Sequence, residues 1–234
     1  MMTAQAAIAV LRRNANKEYA RTAAWFFKTK PGQYGAGDVF IGIRVPLVRR
    51  LALQYAAMPR VEITKLLKHQ IHEVRFAGLE ILVYQFEHVD EPERRKIFDF
   101  YLRHTRWINN WDLVDTSAPY IVGAYLVGKS PAILYVLAKS KNLWERRIAI
   151  VATYALIKSG RYDSTMRIAE ILLNDQHDLI HKATGWMLRE VGKKNSAVLY
   201  AFLDKFSTKM PRTMLRYALE RVPKSVRTVY LKKN

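Results

Sequence analysis

Cysteine is absent from the chain, which excludes disulfides, thiolate nucleophiles, Cys-ligated zinc and cysteine-ligated iron–sulfur clusters and suits a reducing compartment. Long uncharged runs are missing too. The longest, Thr116 to Gly128, has 13 residues, where a membrane-spanning helix needs ~18–20. No secretory pattern opens the sequence: no basic residue precedes the stretch Ala6 to Leu11, Arg12 and Arg13 follow it, and no small-residue cleavage site appears. The expectation is a cytoplasmic protein, nucleoid-associated in a prokaryote, with no membrane partner. Acids are scarce, 20 Asp and Glu against 39 Lys and Arg, leaving a net charge of +19 and a pI near 10.1.

That surplus predicts a polyanionic partner, nucleic acid first, because each phosphate neutralised by Lys or Arg releases counterions. The cations alternate with apolar helix positions and do not form the blocks of a ribosomal-type tail. From Leu179 to Asn234, 13 Lys and Arg stand against three acids, so the C-terminal part is expected to face the polyanion. With 234 residues, about 70% of the unfolded surface can be buried, enough for a core without metal or disulfide staples.

Alternating strand patterns are nearly absent. Apolar residues recur at three and four, as in Phe76, Leu79, Leu82 and Val83, which marks amphipathic helices. Pro46, Pro59, Pro92, Pro131, Pro211 and Pro223 stand at or just before expected helix starts, where a missing N–H costs nothing. Gly32, Gly35, Gly37 and Gly42 crowd into one stretch, the one evident long loop, after an N-terminal helical pair and ending at about residue 44.

A basic residue, any residue and a small residue recur as Arg75-x-Ala77, Arg147-x-Ala149, Lys182-x-Thr184 and Arg216-x-Ala218. The intervals are 72, 35 and 34 residues, and the first is twice 36, so one member is missing near position 111. A period of about 35 built from two helices predicts an all-α fold, an α-solenoid of HEAT-like repeats in a single domain over 1–234. Corresponding helices would then line a basic concave groove.

The missing member is WDLVD, Trp111 to Asp115, where Asp115-x-Ser117 puts a carboxylate in the row of cations. An acid facing DNA repels phosphates unless it has another task. Trp111 and Asp115 share a helix face at i, i+4, as do Lys182 and Trp186. Pro119 cannot donate to the Asp115 carbonyl, so the helix should kink or restart there. Structural alternatives stand beside this reading: tryptophans at helical spacing can be core, Asp112 can cap a helix, and Asp115 can simply pair with Arg147.

Four segments in order carry a resemblance: FFKTKPGQYGAGDVFIGIRVP (Phe26 to Pro46), NNWDLVD (Asn109 to Asp115), NLWERRIAI (Asn142 to Ile150) and HKATGWMLREVGKK (His181 to Lys194). Together they resemble the AlkD-like DNA alkylation repair glycosylases, whose fold is HEAT-like. The resemblance implies that Asp115, Arg147, Trp111 and Trp186 form the site, with Arg146 the alternative to Arg147 for the phosphate contact. Arg44, Arg50, Arg75, Lys182, Arg189 and Arg216 are the expected DNA-binding residues.

It further implies a metal-independent, monofunctional enzyme of base excision repair, a monomer with no cofactor. Its partner would be double-stranded DNA containing alkylated purines. The bond hydrolysed joins deoxyribose to a purine alkylated at N3 or N7, a leaving group already cationic, so no general acid is required. Asp115 would stabilise the oxocarbenium-like sugar and hold water, and the indole faces would meet the cationic nucleotide. The family leaves the base in the duplex. A noncatalytic helical scaffold binding DNA or RNA is the alternative from charge and repeat alone.

Other patterns carry less. Gly123 to Ser130, GAYLVGKS, fits the phosphate-loop expression, but its variable residues are in helical phase and no β-rich strand precedes it. His177 and His181 have zinc-ligand spacing without a third ligand, so they, like His69 and His72, are expected to be partly exposed ordinary histidines. The glycines around Tyr34 serve a turn, with Arg44 or Arg50 making any phosphate contact.

Overall fold

The computed structural model describes residues 2–233. Among them the ordered elements are helices, and the one β feature is an isolated parallel bridge between Val39 and Ile71. The chain packs as two compact units, residues 1–117 and 118–234.

The first unit holds α1 (Ala4–Arg13), α2 (Lys17–Phe26), α3 (Val45–Leu53), α4 (Arg60–Leu67), α5 (His72–Glu87), α6 (Glu91–Arg103) and the short α7 (Trp111–Asp115). Side-chain caps set several starts. Thr3 accepts from the Ala6 N–H, Asn16 from Tyr19 and Asp90 from Glu93, each satisfying a donor that the first turn cannot pair internally. Helix α1 buries Ala4, Ala7 and Leu11, one stripe at helical spacing. Helix α5 is the axis of this unit: it is buried on nearly every side from His72 to Leu82, and α3 and α4 pack against it.

The second unit opens on a π-helical turn, Pro119–Gly123, followed by α8 (Ala124–Leu126), α9 (Ala132–Ala138), α10 (Leu143–Lys158), α11 (Asp163–Ile171), α12 (Asp178–Lys194), α13 (Ser196–Phe206), α14 (Arg212–Ala218) and α15 (Lys224–Lys233). The interruption expected at Pro119 takes the form of this wide turn, in which the Gly123 N–H bonds the Ala118 carbonyl five residues back. Helix α10 is the second axis, with Ile148 to Thr153 buried without a break. Helix α12 packs on α10, α13 and α14, over a core that includes Leu188, Phe202, Leu203, Met214 and Leu215.

The segment GAYLVGKS is helical from Gly123 through Leu126. A Cβ at Gly123 would stand 2.1 Å from the Ala152 carbonyl oxygen, so this glycine serves the packing of the π turn on α10 and no phosphate cradle forms. His177 caps α12 by accepting from the Leu179 N–H, and His181 bonds the Asp175 carbonyl. Among the described residues no group of three His, Asp or Glu side chains is placed to hold a metal. No described helix is long and apolar enough to cross a membrane.

The glycine-rich segment lies between α2 and α3, as expected, and the backbone at its C-terminal end is bonded inside the protein. The N–H groups of Ile41, Gly42 and Ile43 converge on the Glu73 carboxylate at 2.7–3.3 Å, and Glu73 is 5% exposed. Gly42 has φ +80°, and a Cβ there would lie 2.0 Å from the Asn16 carbonyl oxygen. Gly42→Ala should therefore cost about 3 kcal/mol or more. Gly128→Ala, with φ +79° and open space around it, should cost only about 1–2 kcal/mol. Urea denaturation of the two variants checks the difference.

Candidate functional site

The site of the first unit is built around α7. Asn110 begins the helix by accepting from the Trp111 N–H through Oδ1, while its Nδ2 donates to Asp38 Oδ2 at 2.9 Å. Asp112 Oδ1 accepts from the Leu113 N–H, and its Oδ2 pairs with His72 Nε2 at 2.7 Å. Thr116 and Ser117 hydroxyls bond carbonyls one turn back, and the buried Tyr101 hydroxyl meets Ser117 Oγ at 2.9 Å. A five-residue helix has little stability of its own; these bonds hold it.

Beneath α7 lies a network of ionised groups. His72, 2% exposed, sits between Asp38, 3.1 Å from Nδ1, and Asp112. Arg75 adds a bond to Asp38 Oδ1 at 2.6 Å. Burial alone would lower the His72 pKa, but the charge and hydrogen bond of Asp112 and the hydrogen bond of Asp38 outweigh it and raise it to about 9. Burial acts to raise the Asp38 carboxyl, yet His72, Arg75 and Asn110 together hold it below the usual carboxylate range. His72 is therefore a buried cation, which corrects the expectation of a partly exposed, ordinary histidine. The cap of α7 is Asn110 and not Asp112, which lies in the first turn, accepts from the Leu113 N–H and carries this pair.

An aromatic stack covers the network. Trp111 lies flat on Phe27, centroids 5.2 Å apart at 14°, and Phe26 meets it edge-on at 5.9 Å. Phe27 stacks on Phe40, and Phe40 on His72 at 4.5 Å. Trp111 is half-buried, while Phe26 and the neighbouring Trp25 are 53% and 68% exposed. Asp115, one turn beyond Trp111 on the same helix face, is half-buried. Tyr101 is pushed well above its ordinary pKa by burial, with the Asp115 charge adding to the effect, so the carboxylate lies within electrostatic reach of that phenol.

Helix register revises the repeat. Asp115, Arg147, Lys182 and Arg216 are each the fifth residue of their helices, whereas Arg75 is the fourth of α5. The interval of 72 residues thus joins two different positions. The true counterpart of Arg75 is Arg146, fourth in α10. Arg75 Nη1 donates to the carbonyls of His69 and Gln70, and Arg146 Nη1 to those of Ser140 and Lys141, five and six residues back in each case. Arg75 pairs with Asp38 and Arg146 with Asp175. Arg75, 4% exposed, is thus a clip for the chain entering α5, which corrects its expected role as a phosphate contact.

Of the remaining expected cations, Arg44 and Arg50 are exposed and line one cleft of about 830 Å³ with Asn14, Asn16 and Tyr19. The Arg44 guanidinium lies 5.1 Å from the Tyr19 ring centre. In the second unit, Lys182 and Arg216 line one cleft with Thr213 and Arg227, where Asp178 and Glu220 offset part of the charge. Lys182 pairs with Asp178 at 2.7 Å. Arg189 is bound to Glu190 and Glu220, so its charge is already matched within the protein. Arg147, 5% exposed, donates to the Leu179 carbonyl at 2.6 Å. Trp186 is half-buried, its ring 6.3 Å from that of Tyr154 at 35°.

The structure therefore brings Trp111 and Asp115 together on α7, and Lys182 and Arg216 at one cleft. The sequence by itself assigns no role to Asp38, His72, Phe27 or Tyr154, although Phe27 and Asp38 fall within the Phe26 to Pro46 segment that carries the family resemblance.

An all-α protein with surface cations and an acid one turn from a stacked tryptophan on a short, tightly held helix is the class these features define. Residues 7–222 match the family model described as DNA alkylation repair enzyme, and the chain belongs to that family. Among solved structures it is similar to one described as a "Predicted DNA alkylation repair enzyme" from Enterococcus faecalis, at 18% identity, with 90% of this chain and 98% of that chain covered and a TM-score of 0.72. That likeness speaks for the fold. No curated protein matches the chain.

The raised His72 pKa has a thermodynamic consequence. A group whose pKa is higher folded (about 9) than unfolded (about 6.5) contributes stability that is fully present below the unfolded value and lost as pH rises through the folded one. The stability advantage of the natural protein over His72→Gln should be largest at pH 6 and fall steadily toward pH 9–10. Denaturant titrations across that range check it; a pH-independent difference would contradict a buried imidazolium.

Proposed function

We propose that the protein is a DNA glycosylase of base excision repair that hydrolyses the N-glycosidic bond of cationic N3- or N7-alkylpurines in duplex DNA. The observation that carries this reading is the acid at Asp115, in a helix position that three other helices give to Arg147, Lys182 and Arg216. A protein that only gripped phosphates would gain nothing from a carboxylate there.

In the proposed reaction the bond between C1′ and the purine nitrogen breaks, and its electron pair leaves with the base, which becomes neutral. Positive charge passes to the sugar. The Asp115 carboxylate stabilises that charge and orients the water whose oxygen bonds to C1′, and the water's proton passes to solvent. The cationic leaving group makes a general acid and a metal ion unnecessary. Trp111, braced by Phe27, offers a fixed indole face to the cationic nucleotide, a contact worth ~0.5–2 kcal/mol. In the second unit, Trp186 is assigned the corresponding aromatic role and Arg147 the phosphate beside the lesion, which its buried guanidinium reaches only by giving up its bond to the Leu179 carbonyl. Arg44, Arg50, Lys182 and Arg216 contribute phosphate contacts, with Arg189 a weaker candidate because of its acidic partners.

Incubating purified protein and chelator with methylated duplex should release free purine and leave an abasic site. Asp115→Asn should lower that release by roughly a hundredfold or more while keeping or tightening affinity for DNA. Equal loss of binding and excision would overturn the assignment, and excision by neither protein would favour a noncatalytic scaffold. Replacing both Lys182 and Arg216 with Ala should weaken binding across all sequences and flatten the slope of log affinity against log salt by about 2.

A further inference from the structure

A second cleft of the first unit, about 310 Å³, lies outside the machinery proposed above and is lined by Lys68, His69, Arg75, Trp107 and Asn109 together with the loop at Ala36 to Asp38. Two polar atoms on its lining residues are buried and have no hydrogen-bond partner: Arg75 Nε and Asn109 Oδ1. Arg75 is 4% exposed, and its Nη atoms are satisfied by Asp38, His69 and Gln70. Nε is the one guanidinium nitrogen left without a partner. A buried donor or acceptor without a partner costs about 1–3 kcal/mol, a cost that a bound group presenting the opposite pair of functions would recover.

The rest of the lining narrows the ligand. The Arg75 charge is matched by Asp38, so the cleft floor is close to neutral and does not favour a bare anion. His69 Nδ1 accepts from the Ile71 N–H at 3.0 Å. Burial, with the charges of Arg12 and Arg75, holds its pKa below the ordinary value, so the ring is neutral and its proton sits on Nε2, a further donor. Trp107 supplies an aromatic wall, with the Arg106 guanidinium 4.5 Å from its ring centre. Exposed Lys68 stands at the rim. The volume lies at the small end of the ~300–1,000 Å³ of ligand sites.

We propose that this cleft binds a nucleobase carrying a lactam edge, of which guanine is the example, with its carbonyl oxygen accepting from Arg75 Nε–H, its ring N–H donating to Asn109 Oδ1 and its plane against Trp107. Adenine offers the reversed pattern, an amino donor beside a ring acceptor, and would leave both buried atoms unpaired. The assignment does not depend on the excision reaction, because the lining residues include neither Asp115 nor Trp111.

Calorimetric titration of the whole protein with guanosine, and separately with adenosine, tests it. Guanosine should bind at least tenfold more tightly than adenosine. Asn109→Leu, which removes the acceptor at similar volume, should lose that preference while its melting temperature stays near that of the natural protein. Trp107→Ala should weaken both nucleosides. Equal affinity for the two, no heat from guanosine, or a preference unchanged in Asn109→Leu would each overturn the proposal. None of these outcomes bears on whether methylated DNA is cut.

Discussion

The buried pair of carboxylates around His72 is the constraint on which the first unit depends. Removing ions from water costs several kcal/mol each, and the cost is recovered only where geometry is good and the remaining lone pairs are filled. Here Asp38 and Asp112 are met by His72 and Arg75, with Asn110 filling a further lone pair. Two negative groups face two positive ones. The members come from three pieces of chain: Asp38 from the glycine-rich segment, His72 and Arg75 from the start of α5, Asn110 and Asp112 from the start of α7. Removing any one of the four charged members would strand a buried charge, so the three pieces are held in a single arrangement.

That arrangement is passed outward by stacking. His72 meets Phe40, Phe40 meets Phe27, and Phe27 meets Trp111. Edge and face contacts of this kind contribute about 0.5–1.5 kcal/mol each beyond area burial, and a run of them fixes the plane of the last ring. Trp111 therefore reaches the surface with its orientation set from beneath. Asp115, on a helix too short to persist alone, takes its position from the same support. Preorganisation of this sort is what electrostatic stabilisation of a developing sugar cation requires.

The cations divide into two kinds by a single residue of register. At the fourth helical position, Arg75 and Arg146 turn back to clip the preceding loop and an aspartate. At the fifth, Lys182 and Arg216 reach a cleft, and Arg147 bonds the Leu179 carbonyl. One step along a helix rotates a side chain by about 100°, enough to move it from the loop side to another face. The count of 39 Lys and Arg thus overstates what is available to a polyanion, since Arg75, Arg146 and Arg189 are balanced internally.

Helical class, the loop between α2 and α3, the helix starts near the prolines and the pairing of Trp111 with Asp115 on one face all follow from local rules, and the sequence alone determined them. Periodicity, capping and the missing proline N–H act within a few residues. What only tertiary structure decided involves partners 30 to 72 positions apart: Glu73 filling the N–H groups at Ile41 to Ile43, Asp38 reaching Arg75 and Asn110, and His72 charged between two acids. A three-letter motif could not separate Arg75 from Arg147, because both precede a small residue by two. The distinction rests on where each helix begins and which carbonyls and carboxylates lie within reach, and those distances exist only once the chain has packed.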